Sequence, residues 1–431
     1  MARLRTTLIM HAYRAATWLA TPLASLLLAH RLRRGKEDGE RLAERRGIAS
    51  VARPAGPLVW LHGASVGEVL SVTTLIDQLR ARGFRVLLTS GTVTSARLAQ
   101  SRLPPDVIHQ FVPLDSPVFV RRFLRHWRPD LVLLAESELW PNILADVNAR
   151  RTPLVLVNAR MSRRSFERWR RIPRSAAALL SRVDLCLAQG EPDGEHLRTL
   201  GAPRVMVTGN LKFDTPPPPA DIVAFDALRT ATLNRPILIA ASTHPGEEDA
   251  VLEAHRRLSA KLPSLLTIIA PRHPERGEQV EALAAERGLT SVRRSQDQLP
   301  DPDTALYVMD TIGELGLCYR LGPVAFLGGS LIRHGGQNPI EPVRLDACIL
   351  HGPYVSNFAE IYARLDEAGG AMPVADAAEL AEQAGILLGD VGRRQSMVAA
   401  AQAVLDGFGG ALGHTLSAID PYLVQIRLEK R

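Results

Sequence analysis

The chain reads as an α/β protein with two doubly wound parallel sheets in tandem. Three observations predict this. From Leu58 onward, short apolar runs alternate with amphipathic stretches, the rhythm of βαβ units. The rhythm halts at Asp214-Thr215-Pro216-Pro217-Pro218-Pro219 and then restarts. Four consecutive prolines suit neither a helix nor a central strand, so they form a stiff extended connector. Finally, 431 residues suffice for two domains, each with its own core.

The N-terminal element comes first. Residues Thr6–Ala29 are mostly apolar, most cleanly from Ala15 to Ala29, with His11 and Arg14 interrupting the earlier turns. Arg3 and Arg5 precede the stretch, and Arg31, Arg33, Arg34 and Lys36 follow it. A spanning helix wants about 20 apolar residues, a length reached here only if Arg14 snorkels to the headgroups. Three readings stand: an interfacial or signal-anchor helix, which is favoured, a full single span, and a soluble core helix. A cleaved signal peptide does not fit, because a basic run follows the apolar one. The flanking bases would pin the segment to anionic lipid on the cytoplasmic side.

Strands are expected at Leu58–His62, Val86–Thr89, Val107–Phe111, Leu131–Ala135, Leu154–Asn158, Leu185–Ala188 and Val205–Thr208. Amphipathic helices are expected at Val69–Arg82, Val118–Trp127, Ser165–Arg182 and Glu191–Leu200. Beyond the prolines, strands follow at Ile237–Ala241, Leu265–Ala270, Leu306–Met309, Val324–Leu327 and Cys348–His351. Helices intervene at Glu247–Lys261, Glu275–Arg287, Thr311–Leu321, Phe358–Ala368 and Ala378–Leu388. The expected boundaries are 1–36 for a membrane-associating segment, 37–214 for the first domain and 215–431 for the second, with the last helix a candidate to pack back on the first. In open α/β sheets ligands lie outside the C-terminal strand ends, so functional residues are sought there, in a cleft between facing domains.

A hydrophobic content of 46% and a charged content of 23% are globular, not disordered. The formal charge of +7 suits an anionic partner. Arginine is scattered and aromatics are few, so no stacking platform for single-stranded nucleic acid is visible. Cys186, Cys318 and Cys348 lie singly in apolar runs, without metal-ligand spacing, and read as buried thiols.

The motifs follow strands. Gly63-Ala64-Ser65-Val66-Gly67-Glu68 reads as strand, glycine turn, helix, and puts Glu68 in a helical first turn where a general base has reach. The same stretch matches the G-x-S-x-G nucleophile elbow around Ser65, but that motif expects several strands before it, and Leu58–His62 is the first. Glu136 and Glu138 follow another strand, spaced to point in different directions, one of them placed to cap the next helix. Lys212, in Gly209-Asn210-Leu211-Lys212-Phe213-Asp214, sits at the expected hinge, able to face an anion. In the second domain Arg272 follows a strand as a phosphate clamp, and Asp310 or Thr311 caps a helix. Gly328-Gly329-Ser330 leads to Gly335-Gly336-Gln337-Asn338-Pro339-Ile340-Glu341, where glycines admit a ligand, Pro339 suits a first helical position and Glu341 suits ribose hydroxyls. Walker A, G-x-G-x-x-G and H-E-x-x-H motifs are missing from the sequence, and no cofactor or metal site is expected. A leaving phosphate would then be neutralised by Arg, Lys and helix dipoles.

Together these segments resemble the 3-deoxy-D-manno-octulosonic acid (Kdo) transferases of lipopolysaccharide assembly. The matching segments are S-V-G-E (Ser65–Glu68), E-S-E-L-W-P-N (Glu136–Asn142), N-A-R-M-S (Asn158–Ser162), G-N-L-K-F-D (Gly209–Asp214), S-T-H-P-G-E-E (Ser242–Glu248), P-R-H-P-E-R (Pro271–Arg276), G-E-L (Gly313–Leu315), G-G-S-L (Gly328–Leu331) and G-G-Q-N-P-I-E (Gly335–Glu341). They run in family order over nearly the whole chain, with Met161 and Ser137 as small departures. The resemblance implies the GT-B arrangement of two Rossmann-like domains, an acceptor-binding first and a CMP-sugar-binding second. It implies inverting transfer of Kdo from CMP-Kdo to a lipid A precursor at the cytoplasmic face of the cell inner membrane. Glu68 matches the family's proton acceptor, and Glu136 and Lys212 match residues that support the transition state. Pro271, Arg272, Ile312, Gly313, Glu314, Asn338, Pro339, Ile340 and Glu341 match CMP contacts. The alternatives are a membrane-associated GT-B transferase using a UDP-sugar, a serine hydrolase built on Ser65, and a basic nucleic-acid-binding protein.

Overall fold

A computed structural model describes residues 7–430; Arg3, Arg5 and Thr6 lie outside them. The chain divides into two compact units. One runs through Thr215 and takes in the C-terminal segment from Phe408, and the other is Pro216–Gly407.

The first unit is built on seven strands: β1 (Leu58–His62), β2 (Arg85–Ser90), β3 (Ile108–Phe111), β4 (Leu131–Ala135), β5 (Leu154–Ala159), β6 (Leu185–Ala188) and β7 (Val205–Val207). They pair in the order β3-β2-β1-β4-β5-β6-β7, all parallel. Helices cover both faces, so the central strands are apolar throughout. In β1, Leu58 and Trp60 enter one core, and Val59 and Leu61 enter the core on the opposite face.

The second unit repeats the plan with β8 (Ile237–Thr243), β9 (Leu266–Pro271), β10 (Ser291–Arg293), β11 (Leu306–Val308), β12 (Val324–Leu327), β13 (Cys348–His351) and β14 (Ala371–Pro373). Their order is β10-β11-β9-β8-β12-β13-β14, again parallel. The Pro216–Pro219 segment lies against the helix Leu315–Leu321. A Cβ on Gly316 would stand 2.4 Å from the Pro219 oxygen, and Arg320 Nη1 donates to the Pro218 oxygen at 2.7 Å. Three buried cysteines carry free thiols.

Two expected helices are each broken in two. Val69–Arg82 is Val66–Ser71 followed by Thr73–Ala81. There the Ser71 and Thr73 hydroxyls donate to the Glu68 and Leu70 oxygens, competing with the helix ladder. Ser165–Arg182 is Arg163–Arg170 and Pro173–Leu180, with Pro173 forcing the break.

The N-terminal apolar stretch is likewise two helices, Leu8–Leu19 and Ala24–Arg33, separated at Thr21-Pro22-Leu23. Among the described residues no helix is long and apolar enough to cross a membrane. Arg14 does not snorkel. It donates to Asp146 Oδ1 at 2.8 Å and Asn142 Oδ1 at 3.3 Å. Tyr13 donates to Asp115 at 3.0 Å, so one face of Leu8–Leu19 is docked by polar bonds. Along the two N-terminal helices and the turn between them, Leu8, Trp18, Leu19, Leu23 and Leu26 remain exposed.

Candidate active site

In the first unit, β1 and β4 are the neighbours between which strand order turns back, the place where open α/β sheets hold ligands. Three carboxylates and a lysine gather there. β1 passes through Gly63 into the helix Val66–Ser71, capped by Ser65. Ser65 Oγ accepts from the Glu68 N–H at 3.4 Å and donates to Glu68 Oε1 at 2.8 Å. Glu68 Oε2 accepts from the Ala64 N–H at 2.8 Å. The carboxylate is thus folded over the first turn of its own helix, half-buried. Burial lifts the Glu68 pKa above its ordinary value; the bonds from Ala64 and Ser65 oppose the rise, and the charges of Glu136 and Glu138 add to it.

Glu136 follows β4 in the left-handed region, at φ 55°. That turn interrupts the extended backbone; Glu136 and Glu138 take different partners, and the charges of both act on Glu68. Glu136 Oε1 accepts from Lys212 Nζ at 3.0 Å. Glu138 does not cap the next helix, Pro141–Ala149. Asp115 does that, accepting from the Asn142 and Ile143 N–H groups at 3.1 and 3.0 Å. Glu138 instead accepts from the Trp140 indole and lies 3.6 Å from His62 Nε2. Buried His62 is held through Nδ1 by the Thr89 oxygen at 3.0 Å. Burial disfavours the Glu138 charge, but the nearby His62 imidazole and the bond from Trp140 outweigh it and hold the carboxyl below its usual range.

Lys212 lies in a 3₁₀ turn, Leu211–Asp214, within the first unit. Asn210 Oδ1 accepts from the Lys212 N–H at 3.0 Å, and Asn158 Oδ1 accepts from the Leu211 N–H at 2.9 Å. Fully buried Asn158, at φ 51°, therefore seats the lysine loop. This role was missed: N-A-R-M-S counted only as a matching segment.

In the second unit the loops after β11, β9, β8 and β12 stand side by side. Pro271 closes β9, and the Arg272 N–H bonds the Thr243 oxygen at 2.9 Å. The exposed Arg272 guanidinium has no hydrogen-bond partner among the described residues. Beside it, His244 lies tilted against His334 with centroids 4.0 Å apart and meets His273 edge-on at 6.1 Å. Gln337 Nε2 is 3.3 Å from His244 Nε2. Burial first, then the charges of His334, His273, Arg272 and Arg276, push His244 down to about 4.

Fully buried Glu247 went unrecognised and holds two of these loops together. Its carboxylate accepts from the His244 N–H at 3.0 Å and from the Gly329, Ser330 and Leu331 N–H groups at 2.6, 2.9 and 2.9 Å. Ile312 is exposed and Gly313 has φ 90°. Glu314 is bound by Arg294 at 2.8 Å and by the Thr311 hydroxyl. Here the helix starts at Leu315, later than expected, and neither Asp310 nor Thr311 caps it: Asp310 pairs with Arg293 at 2.9 Å. Asn338 Oδ1 accepts from the Ile340 N–H at 3.1 Å, and Asn338 Nδ2 lies 3.5 Å from Glu341 Oε1. Pro339 occupies the N-cap of Ile340–Val343, one position before the expected one.

Residues 40–215 match the family model described as "3-Deoxy-D-manno-octulosonic-acid transferase (kdotransferase)". The 3-deoxy-D-manno-octulosonic acid transferase of Haemophilus influenzae is 38% identical over 395 residues, 89% of this chain and 92% of that one. That of Bordetella pertussis is 36% identical over 414 residues, 93% and 96% of the two chains. The chain belongs to the Kdo transferase family. It is therefore a glycosyltransferase. A glycosyltransferase structure from Rickettsia africae matches at a TM-score of 0.58 with 12% identity, over 86% of this chain and 99% of that one, a likeness of fold alone. In this Kdo transferase-family chain Ser65 is bound to Glu68, and among the described residues no histidine hydrogen-bonds it, unlike the elbow of a hydrolase. Among the described residues no group of His, Cys, Asp and Glu is arranged to hold a metal ion.

Proposed function

We propose that this enzyme moves Kdo from CMP-Kdo to a sugar hydroxyl of a lipid A precursor, with inversion, and that Glu68 is the general base. The reading rests on one observation above the others: a half-buried carboxylate, its pKa raised, fixed by Ala64 and Ser65 at the switch point of a Kdo transferase-family sheet. A base working near neutral pH gains from a pKa moved toward that pH.

Glu68 takes the acceptor hydroxyl proton as the oxygen bonds to the anomeric carbon of Kdo. The bond from that carbon to the phosphate oxygen breaks in the same displacement, and CMP leaves. Attack from the side opposite the leaving group inverts the centre. Lys212, oriented by Glu136, supplies positive charge to the anionic reacting sugar. The first unit takes the acceptor. The second takes the donor through Pro271, Arg272, Ile312, Gly313, Glu314, Asn338, Pro339, Ile340 and Glu341. The unbonded Arg272 guanidinium beside the histidine cluster supports a clamp on the CMP phosphate. The exposed leucines of the N-terminal helices and the basic residues after them suit the cytoplasmic face of the inner membrane, where lipopolysaccharide precursors lie.

The test is incubation with CMP-Kdo and a lipid A precursor, with products weighed by mass spectrometry. Addition of Kdo with release of CMP is expected, and no addition from UDP-sugars. Glu68→Gln should bind CMP as before and transfer about a hundred- to ten-thousandfold more slowly. Near-normal turnover in that variant ends the assignment of the base.

A further inference from the structure

The first unit contains a cavity of about 280 Å³ that the chemistry above does not use. Tyr13, Ala20, Ala24 and Leu27 of the N-terminal helices form one wall, and Phe119 and Trp140 form the other. We propose that this cavity binds one fatty acyl chain of the acceptor, a subsite that rests on the lipid-acceptor reading above.

Three observations carry it. The polar groups in the wall already have partners. Tyr13 donates to Asp115 at 3.0 Å, Thr21 and Ser116 hydroxyls share a bond of 2.7 Å, and Thr17 donates to the Tyr13 oxygen at 2.8 Å while accepting from Asn142 at 3.0 Å. The hydroxyl protons of Tyr13, Thr17 and the Thr21–Ser116 pair are already engaged, so a polar ligand would find few groups to bond, whereas an apolar one breaks no bond of the wall by entering. Next, the cavity adjoins the carboxylate cluster. Trp140 is its wall on one side, and its indole donates to Glu138. A lipid whose sugar hydroxyl reached Glu68 would have its hydrocarbon beside this opening. Lastly, the mouth is apolar: Leu23 is 60% exposed and Leu27 49%. The volume lies near the lower end of ligand pockets, about 300 Å³ upward, so it suits a single chain and not a whole lipid.

Binding is read directly by quenching of tryptophan emission with a bromine-labelled undecanoic acid, comparing the full-length protein with Trp140→Phe to isolate the Trp140 signal. Saturable quenching of Trp140 is expected, weakened about tenfold or more in Ala20→Phe, which fills the cavity from an exposed rim position, and in Ala24→Leu. Unchanged melting temperatures show that the variants fold. Quenching that does not saturate, or is equal in every variant, overturns the subsite. Transfer is the second arm. In detergent micelles Ala20→Phe should raise KM for the acylated precursor about tenfold and leave transfer to the de-acylated sugar phosphate unchanged. An equal change with both acceptors overturns the proposal. So does a variant that loses only vesicle binding, because the chain held would then belong to a bilayer lipid. Wild-type enzyme that transfers to neither acceptor sinks the functional reading, while quenching still decides the cavity.

Discussion

Glu68 is tuned by opposing neighbours, and each is open to test. Burial and the charges of Glu136 and Glu138 raise its pKa, while the Ser65 hydroxyl lowers it. A base must be ionised to work, so activity should fall as pH drops through the Glu68 pKa. Ser65→Ala removes a bond that favours the charged form, so the acid limb of kcat/KM should move to higher pH. Glu138→Gln removes a like charge, so the limb should move to lower pH. Shifts of opposite sign in the two pH profiles are the expected outcome. Ser65→Ala should also keep substantial transfer, since the hydroxyl positions the base and is not the nucleophile. Its helix cap is lost at about 0.5–2 kcal/mol, visible as a lowered melting temperature.

At the scale of elements, the loops after β8 and β12 are held together by Glu247 and by close backbone packing. A Cβ at Gly328 would fall 2.4 Å from the Ser242 oxygen and 2.6 Å from the Thr243 Cα, and backbone atoms cannot swing aside. Gly328→Ala should therefore unfold or severely loosen the second unit. Glu247→Ala leaves four N–H groups without their acceptor and should cost about 3 kcal/mol or more in denaturant titration. The sequence revealed the apolar strands well, because β1, β4, β6, β12 and β13 are apolar runs bounded by turns. It did not reveal β10 and β14, the edges of the second sheet, because Ser-Val-Arg and Ala-Met-Pro form no apolar run, unlike the equally short β7 and β11. Sites divided similarly. Glu68 and Arg272 were visible because a charged residue after an apolar run is conspicuous. Asn158, Glu247 and His244 were not, because their work is done by bonds to loops distant in sequence. The pairing of Glu136 with Lys212, 76 residues apart, was hidden for the same reason.

At the scale of the molecule, the chain leaves its first unit at the prolines and returns to it at the end. Helix Ala411–Glu429 places Leu416, Ile419, Leu423 and Ile426 in the same core as Val59 and Leu61 of β1. Asp214 fixes its start, accepting from the Gly410 and Leu412 N–H groups at 2.9 and 2.6 Å. Phe213 and Phe408 stack with centroids 4.6 Å apart, so the exit and return strokes are joined where they meet. The face of the sheet that carries Glu68 on its next loop is thus closed by residues near the C-terminus. Leu423→Ala empties a site that is 1% exposed and should cost the first unit about 2–5 kcal/mol. The second unit gains no cavity from that substitution. In a thermal scan the transition of the first unit should therefore drop, and CMP should still raise the melting of the second by its usual amount. Equal loss in both transitions would mean that the two units unfold as one.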